Sequence, residues 1–493
     1  MDRTNQWLCE ASALELVAVL ERGEATSEQI VTALIERIEL IDPAGSELAL
    51  RSVLAIAPDA LDSARVADYE RSSGIVRSAL HGVPIMIKDN IEARGLPGTA
   101  GSTSLLGRPV REDSPLVARL RRAGMVILAS TNLSQWANLR SPRSTSGWSA
   151  VGGLTVNPYR LDRSAGGSSS GSGVALAARL SPLTIGTETD GSITCPASLN
   201  GVVGLKPAVG TISSEGIVPI SGSQDSAGPM ARTVDDVAAL FEVLSERPGF
   251  VATVHRGARN LKVGVATNLL TKDPRTDELF HACARALRSS GVRTIDITVA
   301  EANAQVDADE MTVLLAEMCD DLGTFLKRRG GDGPSSVAEI IDFELAHADE
   351  ELAFFGHEYL VQSVSTGGRT GPDYRAARER NVEWATKTCL SPALDGVDCF
   401  IAPCYSPAWK NDLTLGGSGS ARWSQVTQAP AIAGWPVATV PMGLIDGLPV
   451  GLSIVGPPGS EAALLGVALE VERTLGLVAD KVLVPSYATP QRA

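Results

Sequence analysis

Residues Gly166 to Gly173 consist solely of glycine and serine. Such a run brings no apolar side chains to a core, so whatever it builds is built from backbone and hydroxyl groups. It cannot be read in isolation, because the chain on both sides is patterned. Upstream, residues 140 to 165 are rich in Ser, Gly, Asn and Pro, including Gly152-Gly153 and Asn157-Pro158. Downstream, Val174 to Leu180 reads as a helix and Leu183 to Thr187 as a buried strand, followed by Glu188-Thr189-Asp190-Gly191-Ser192. Flexible linkers share this composition, but they are longer and lack so sharp a return to apolar residues. A phosphate cradle would require GxxxxGK[ST], or GxGxxG after a strand, and neither is present. The remaining reading is an active-site loop, in which glycines let the backbone approach a substrate and serines supply a proton relay.

The rest of the chain supplies a framework for that loop. Residues 12 to 40 read as two helices; Thr26 with Gln29 makes a capping box, and Ile30, Leu34, Ile38 and Ile41 follow at helical spacing. Val83 to Ile87 is a short apolar run leading into Lys88-Asp89-Asn90, Ser114 to Ala123 is helical, and Met125 to Ala129 is the next buried strand. Strands at Cys399 to Pro403, Val437 to Met442 and Leu448 to Val455, then a helix from Ala462 to Leu475, complete an α/β pattern. We expect one domain over 1-493, with a core at about 70-245 and 395-480. Residues 246-395, richer in charge and helix, are expected to lie over that core.

Composition removes several function classes. Acidic residues outnumber basic ones, 57 to 43, for a formal charge of −14, which disfavours gripping a phosphate backbone. The seven cysteines form no CxxC pair and the five histidines are scattered, so zinc-site spacing is absent and the thiols read as reduced. The N-terminal stretch carries Glu10 and Glu15 among its apolar residues and does not read as a signal peptide. The uncharged stretch Ser424 to Ile445 holds Pro430, Pro436 and Pro441, which reads as strands and turns, not a spanning helix. The expected setting is the cytoplasm, with no nucleic acid or membrane partner and a monomer or homodimer as the working form.

Within the framework, Ser192 stands on a Gly-containing turn after a strand, which is nucleophile-elbow logic without GxSxG. No histidine lies near either serine cluster, so nothing favours a His triad. Lys88 ends an apolar strand; desolvation there would lower its pKa and free a neutral amine. Read singly, these residues fit ordinary solvated turns and strand ends equally well. Three segments in order change that: Lys88-Asp89-Asn90, Gly166 to Gly171, and Gly186 to Ile193, followed by Gly201-Val202-Val203-Gly204-Leu205-Lys206-Pro207.

In that combination the sequence resembles the amidase signature family, over most of 80 to 245 and again over about 395 to 475. The resemblance implies a central mixed β-sheet flanked on both sides by α-helices, and no cofactor or metal. It implies a Ser–cis-Ser–Lys triad, with Ser192 as nucleophile, Ser168 as the bridging serine on a non-proline cis peptide, and Lys88 as neutral base. The N–H groups of Thr189, Asp190, Gly191 and Ser192 would form the oxyanion hole. Where many members carry Gly-Gly before the nucleophile, this chain has Asp190-Gly191. That run, with Thr131 to Asn138, Ser146 to Ala150 and Gln224 to Met230, looks like the peptide amidase branch, which removes C-terminal amides from peptides. On that reading Asn138 and Asp190 touch substrate, Trp136 and Trp148 pack the core, and Asn132 is a turn or cap residue. The alternatives are a general small-amide amidase and the A subunit of a glutamine-dependent tRNA amidotransferase. A catalytically dead binding module is disfavoured because all three triad positions are present, and a membrane fatty-amide hydrolase because no spanning helix is evident.

Overall fold

A computed structural model describes residues 3–46, 49–258, 260–416, 421–477 and 485. The end of the expected 395-480 stretch, residues 478 to 480, lies outside them. Eleven strands form one mixed sheet: β1 Val53–Ile56, β2 Pro84–Lys88, β3 Val126–Thr131, β4 Leu183–Glu188, β5 Val203–Lys206, β6 Ser226–Ala231, β7 Lys262–Ala266, β8 Arg293–Ile297, β9 Cys399–Pro403, β10 Val437–Ile445 and β11 Leu448–Val455; β2, β3, β4, β9, β10 and β11 are the apolar runs read above, and the other five among the described residues were not read as strands. Their spatial order is β1-β3-β2-β4-β6-β5-β10-β11-β9-β7-β8. β2 runs parallel to both β3 and β4, β7 runs parallel to β8 and β9, and the pairs between are antiparallel. Every residue of β2, β3 and β4 is buried. A strand buried on both faces needs helices on both sides, and helices flank the sheet as expected.

Local signals placed several elements correctly. Thr26 and Gln29 form their capping box, each side chain accepting the other's backbone N–H at 3.1 and 3.0 Å. Beyond the unread strands, the structure differs from the sequence reading in two places. The helix read as Val174 to Leu180 is α1, Ser170–Ala177, which starts inside the Gly/Ser run. All eight of its residues are buried, so it carries no amphipathic period that would mark its start. Residues 262 to 297 contribute β7 and β8 to the sheet itself, whereas the long helix α3, Ala304–Arg329, and the helical stretch to Leu360 pack against the loops after β2 and β3 and the connection between β5 and β6. Among the shorter helices, α2, Thr194–Asn200, follows β4 directly.

Glycine at 171 lets α1 press against backbone. A Cβ there would stand 2.4 Å from the Ser52 carbonyl oxygen and 2.6 Å from the Asn132 amide nitrogen. Neither can yield without moving β1 or the loop after β3. Gly171→Ala is therefore expected to lower unfolding stability by about 1–3 kcal/mol, read as a drop in the urea midpoint at unchanged m-value.

Candidate active site

The adjacent central strands β2 and β4 end at the same edge and deliver the site. Lys88 is the last residue of β2, and its side chain has no access to solvent. Its Nζ lies 2.8 Å from Ser168 Oγ, 2.8 Å from Thr187 Oγ1 and 3.3 Å from the Thr187 carbonyl oxygen. Burial lowers its pKa from 10.5 to about 7, against the opposing pull of Asp225 and Glu188. The two residues that follow anchor the turn. The Asp89 carboxylate accepts the N–H groups of Gly98 at 2.9 Å and Thr99 at 2.8 Å. Asn90 Nδ2 donates to Thr187 Oγ1 at 3.0 Å, so that oxygen faces two nitrogens.

Ser168 follows a cis peptide bond from Gly167. The loop is tied down at every step. Ser134 N donates to the Ser168 carbonyl at 3.0 Å, and Ser169 N donates to the Ser192 carbonyl at 3.1 Å. Ser169 Oγ donates to the Thr187 carbonyl and accepts from Thr187 N, both at 3.1 Å. A Cβ at Gly167 would fall 2.4 Å from Ser134 Oγ. Ser169 and Ser172 stitch the loop to β4, Ser170 Oγ closes the loop on the Gly166 carbonyl at 2.6 Å, and Ser168 is the one that meets the lysine.

Ser192 sits on the turn between β4 and α2. Gly191 adopts φ +78°, a left-handed conformation natural to glycine. The Glu188 carboxylate accepts the N–H groups of Ile193 at 2.6 Å and Thr194 at 2.8 Å, which fixes the exit of the turn. Among the described residues, the backbone N–H groups of Asp190, Gly191 and Ser192 have no acceptor within the chain. Thr189 Oγ1 donates to Asp225 Oδ1 at 2.6 Å, and burial pushes the Asp225 carboxyl up to about 6. Lys206 is buried with its Nζ 2.8 Å from the Trp435 carbonyl; burial lowers it to about 8 although Glu188, Asp190 and Asp225 favour its charge.

Ser168 and Ser192 open into one cavity of about 440 Å³. Asn138 and Asp190, the two side chains read as substrate contacts, line it as well. Asn138 takes φ +76° and its buried Oδ1 has no hydrogen-bond partner. Asp190 is open to the cavity yet walled by protein; desolvation and the repulsion of Glu188 push its carboxyl up, opposed by a hydrogen bond from Thr427 and the charge of Lys206. Glu310, buried on α3, is pushed up by burial and then by Asp190. Cys195 also lines the cavity, but burial raises its thiol far above the ordinary value and keeps it protonated. Trp136 and Trp148 are buried, at 2% and 4% exposure, and Asn132 anchors a loop through Arg51 and Gly153 carbonyls and Thr155 Oγ1.

Sequence reasoning missed the opposite wall. Tyr405, Trp409, Trp423, Gln425 and Thr427 come from the segment between β9 and β10, and Asp307 and Leu314 from α3. No motif marks them. Tyr405 was detectable only through space: a Cβ on Gly191 would stand 2.9 Å from its hydroxyl.

A mixed sheet presenting a buried lysine, a cis-linked serine and a turn serine at one cavity defines a class of amide hydrolases. The chain belongs to the amidase family, whose model, described as Amidase, matches residues 29–465. It is accordingly a hydrolase acting on amide C–N bonds. It is similar to the crystal structure of native peptide amidase from Stenotrophomonas maltophilia, at 39% identity and a TM-score of 0.88, over 97% of this chain and 99% of that one. A peptide amidase solved with the competitive inhibitor chymostatin matches at 40% identity and the same TM-score, over 94% and 97% of the two chains. The A component of the glutamyl-tRNA(Gln) amidotransferase of Myxococcus xanthus is 31% identical over 94% of this chain and 97% of its own length. Among the described residues no helix is long and apolar enough to cross a membrane, and no group of His, Cys, Asp and Glu could hold a metal.

Burial of Lys88 has a thermodynamic signature. Between pH 7 and 10.5 the unfolded chain holds a proton on this residue that the folded chain has lost. Stability contributed through Lys88 therefore rises with pH across that window and is fully penalised below it. Lys88→Met removes the penalty. Its stability gain over the wild-type protein should be largest below pH 7 and shrink steadily toward pH 10, measured by urea unfolding of the two proteins in matched buffers.

Proposed function

We propose that this protein hydrolyses primary carboxamides at the C-terminus of peptides, releasing ammonia, through Ser192, Ser168 and Lys88. The observation that carries the reading is the 2.8 Å contact between a desolvated Lys88 amine and Ser168 Oγ, beside Ser192 in one cavity. A neutral amine has two N–H donors and one lone pair. The Thr187 carbonyl can only accept, so it takes one N–H. Thr187 Oγ1, already receiving Asn90 Nδ2, takes the other. The lone pair is left facing the Ser168 hydroxyl, which is the arrangement a base requires.

The Ser168 proton passes to Lys88 Nζ as the Ser192 proton passes to Ser168 Oγ. Ser192 Oγ bonds to the amide carbon, and the carbonyl oxygen becomes an oxyanion beside the backbone N–H groups of the 189 to 192 turn. The C–N bond breaks as Ser168 gives a proton to the departing nitrogen and recovers one from Lys88, so ammonia leaves. Water then attacks the acyl ester by the same relay and frees the acid and Ser192. Asn138 Oδ1 and the Asp190 carboxylate supply acceptors for the two N–H groups of a primary amide; a substituted nitrogen has one fewer donor. The likeness to peptide amidase at 39–40% identity supports the peptide substrate.

A second reading, glutamine hydrolysis feeding ammonia to a partner protein, draws support from the amidotransferase relative. Ammonia release from peptide amides, simple amides and glutamine, with gel filtration of the native protein, separates the two.

Ser192→Ala should abolish turnover with the fold retained, and a serine-reactive phosphonate should attach to Ser192, as read by peptide mass spectrometry. Lys88→Ala should cost about 10²–10⁴-fold. Wild-type activity should rise with pH through about 7, as Lys88 loses its proton. Labelling elsewhere, or an unaltered rate in Lys88→Ala, assigns the chemistry to other groups.

Asp190→Asn and Asn138→Ala should depress primary-amide turnover about ten- to hundredfold more than turnover of small esters, which lack the amide N–H groups. If Asp190 serves only to hold its turn, amide and ester rates fall in parallel.

A further inference from the structure

The cavity at Ser192 does not end at its own far wall. A row of aromatic rings runs outward from it: Trp409 and Tyr405 lie with centroids 6.4 Å apart, and Tyr405 and Trp423 6.3 Å apart. Trp423 is held in an extended segment by a bridge to Tyr405, with Ser406 N donating to the Arg422 carbonyl at 2.9 Å. Beyond it lies a second cavity of about 290 Å³, and the two share Ala421, Trp423 and Gln425 as a common wall. The second cavity's other side is the loop after β7, including Asn268, Leu270 and Lys272, and Glu301.

The unpaired groups along this path have a pattern. Trp409 is 6% exposed, and its buried Nε1–H donor has no partner. Gln425 Oε1 and Asn138 Oδ1 are buried acceptors without partners. A wall that offers both an unsatisfied donor and unsatisfied acceptors suits a ligand carrying C=O and N–H groups along its length, as a peptide backbone does. The half-exposed ring of Trp423 beside them suits its side chains.

Resting on the amide-hydrolase reading above, we infer that the second cavity is a remote subsite for the substrate's peptide chain. The amidated residue sits at Ser192, and the preceding residues run over Tyr405 and Trp423 into the space between Gln425 and the loop after β7. Each extended residue advances about 3.3 Å, so each step of 6.3 to 6.4 Å between neighbouring rings takes about two residues, and a chain of three or four covers the row from Trp409 to Trp423. The preferred substrate is a tri- or tetrapeptide amide, and a single acylated amino-acid amide is a poor one.

The test compares kcat/KM for an acetyl-amino-acid amide with that for the acetyl-tetrapeptide amide ending in the same residue, read as ammonia release. The tetrapeptide is expected to win by at least about tenfold, since remote binding energy is realised at the reacting centre. Trp423→Ala, at a half-exposed site, and Glu301→Trp, which fills the second cavity from a solvent-facing position, should each cut that ratio at least about fivefold. The ratio is taken within each variant, so a general loss of activity cancels. Equal kcat/KM for the two lengths, or a ratio unmoved in both variants, overturns the subsite while leaving the amidase reading standing. Ammonia from neither substrate overturns both.

Discussion

A lysine amine shut off from water at the end of a central strand sets the terms for everything around it. An isolated buried ammonium is costly, so burial moves the proton balance of Lys88 toward the neutral amine. Neutrality alone does not make a useful base; the lone pair needs a direction. Thr187 supplies two acceptors on one side, and Asn90 loads one of them from behind. Both residues are positioned by the register of β2 beside β4, in which Ile87 pairs with Ile185. The sheet is thus the device that orients a single nitrogen.

The same region concentrates acids. Glu188 fastens the exit of the 189 to 192 turn by accepting two backbone N–H groups, and Asp225 fastens Thr189 and the Ile220 and Ser221 amides. Their charges favour protonated lysine, yet desolvation outweighs them at both Lys88 and Lys206. Lys88, Lys206 and the two acids that act on both, Glu188 and Asp225, form one electrostatic unit. Asp190 lies where this unit meets the cavity. Desolvation by the cavity wall and the repulsion of Glu188 push its carboxyl up, opposed by the Thr427 hydrogen bond and the charge of Lys206.

The lysine–serine cluster and the wall that faces it come from different parts of the chain. Lys88, Ser168 and Ser192 lie within one hundred and five residues and are fixed by three neighbouring loops. The facing wall is assembled from α3 and the segment between β9 and β10, which reach that region only through tertiary contacts, among them the hydrogen bond of Thr427 to Asp190 and that of Ser164 N to the Trp409 carbonyl at 2.8 Å.

Six of the strands (β2, β3, β4, β9, β10 and β11), the Gly/Ser loop and the grouping of Lys88, Ser168 and Ser192 were legible because each depends on local pattern: apolar runs, turn chemistry, and a motif order that the resemblance made readable. The cis bond at Ser168 was expected on that resemblance alone. Less was legible where side-chain period carries no information. α1 is buried on every side, so its start at Ser170 left no trace. β7 and β8 lie in a charge-rich stretch, and their joining the sheet depends on β9, more than a hundred residues later. Asn138 and Asp190 could be named from sequence, but not that they share a cavity with Tyr405 and Trp423. Sequence determines which backbone conformations and which reactive groups are available; only tertiary packing decides which distant side chains enclose them, because enclosure is a property of surfaces that meet through space and not along the chain.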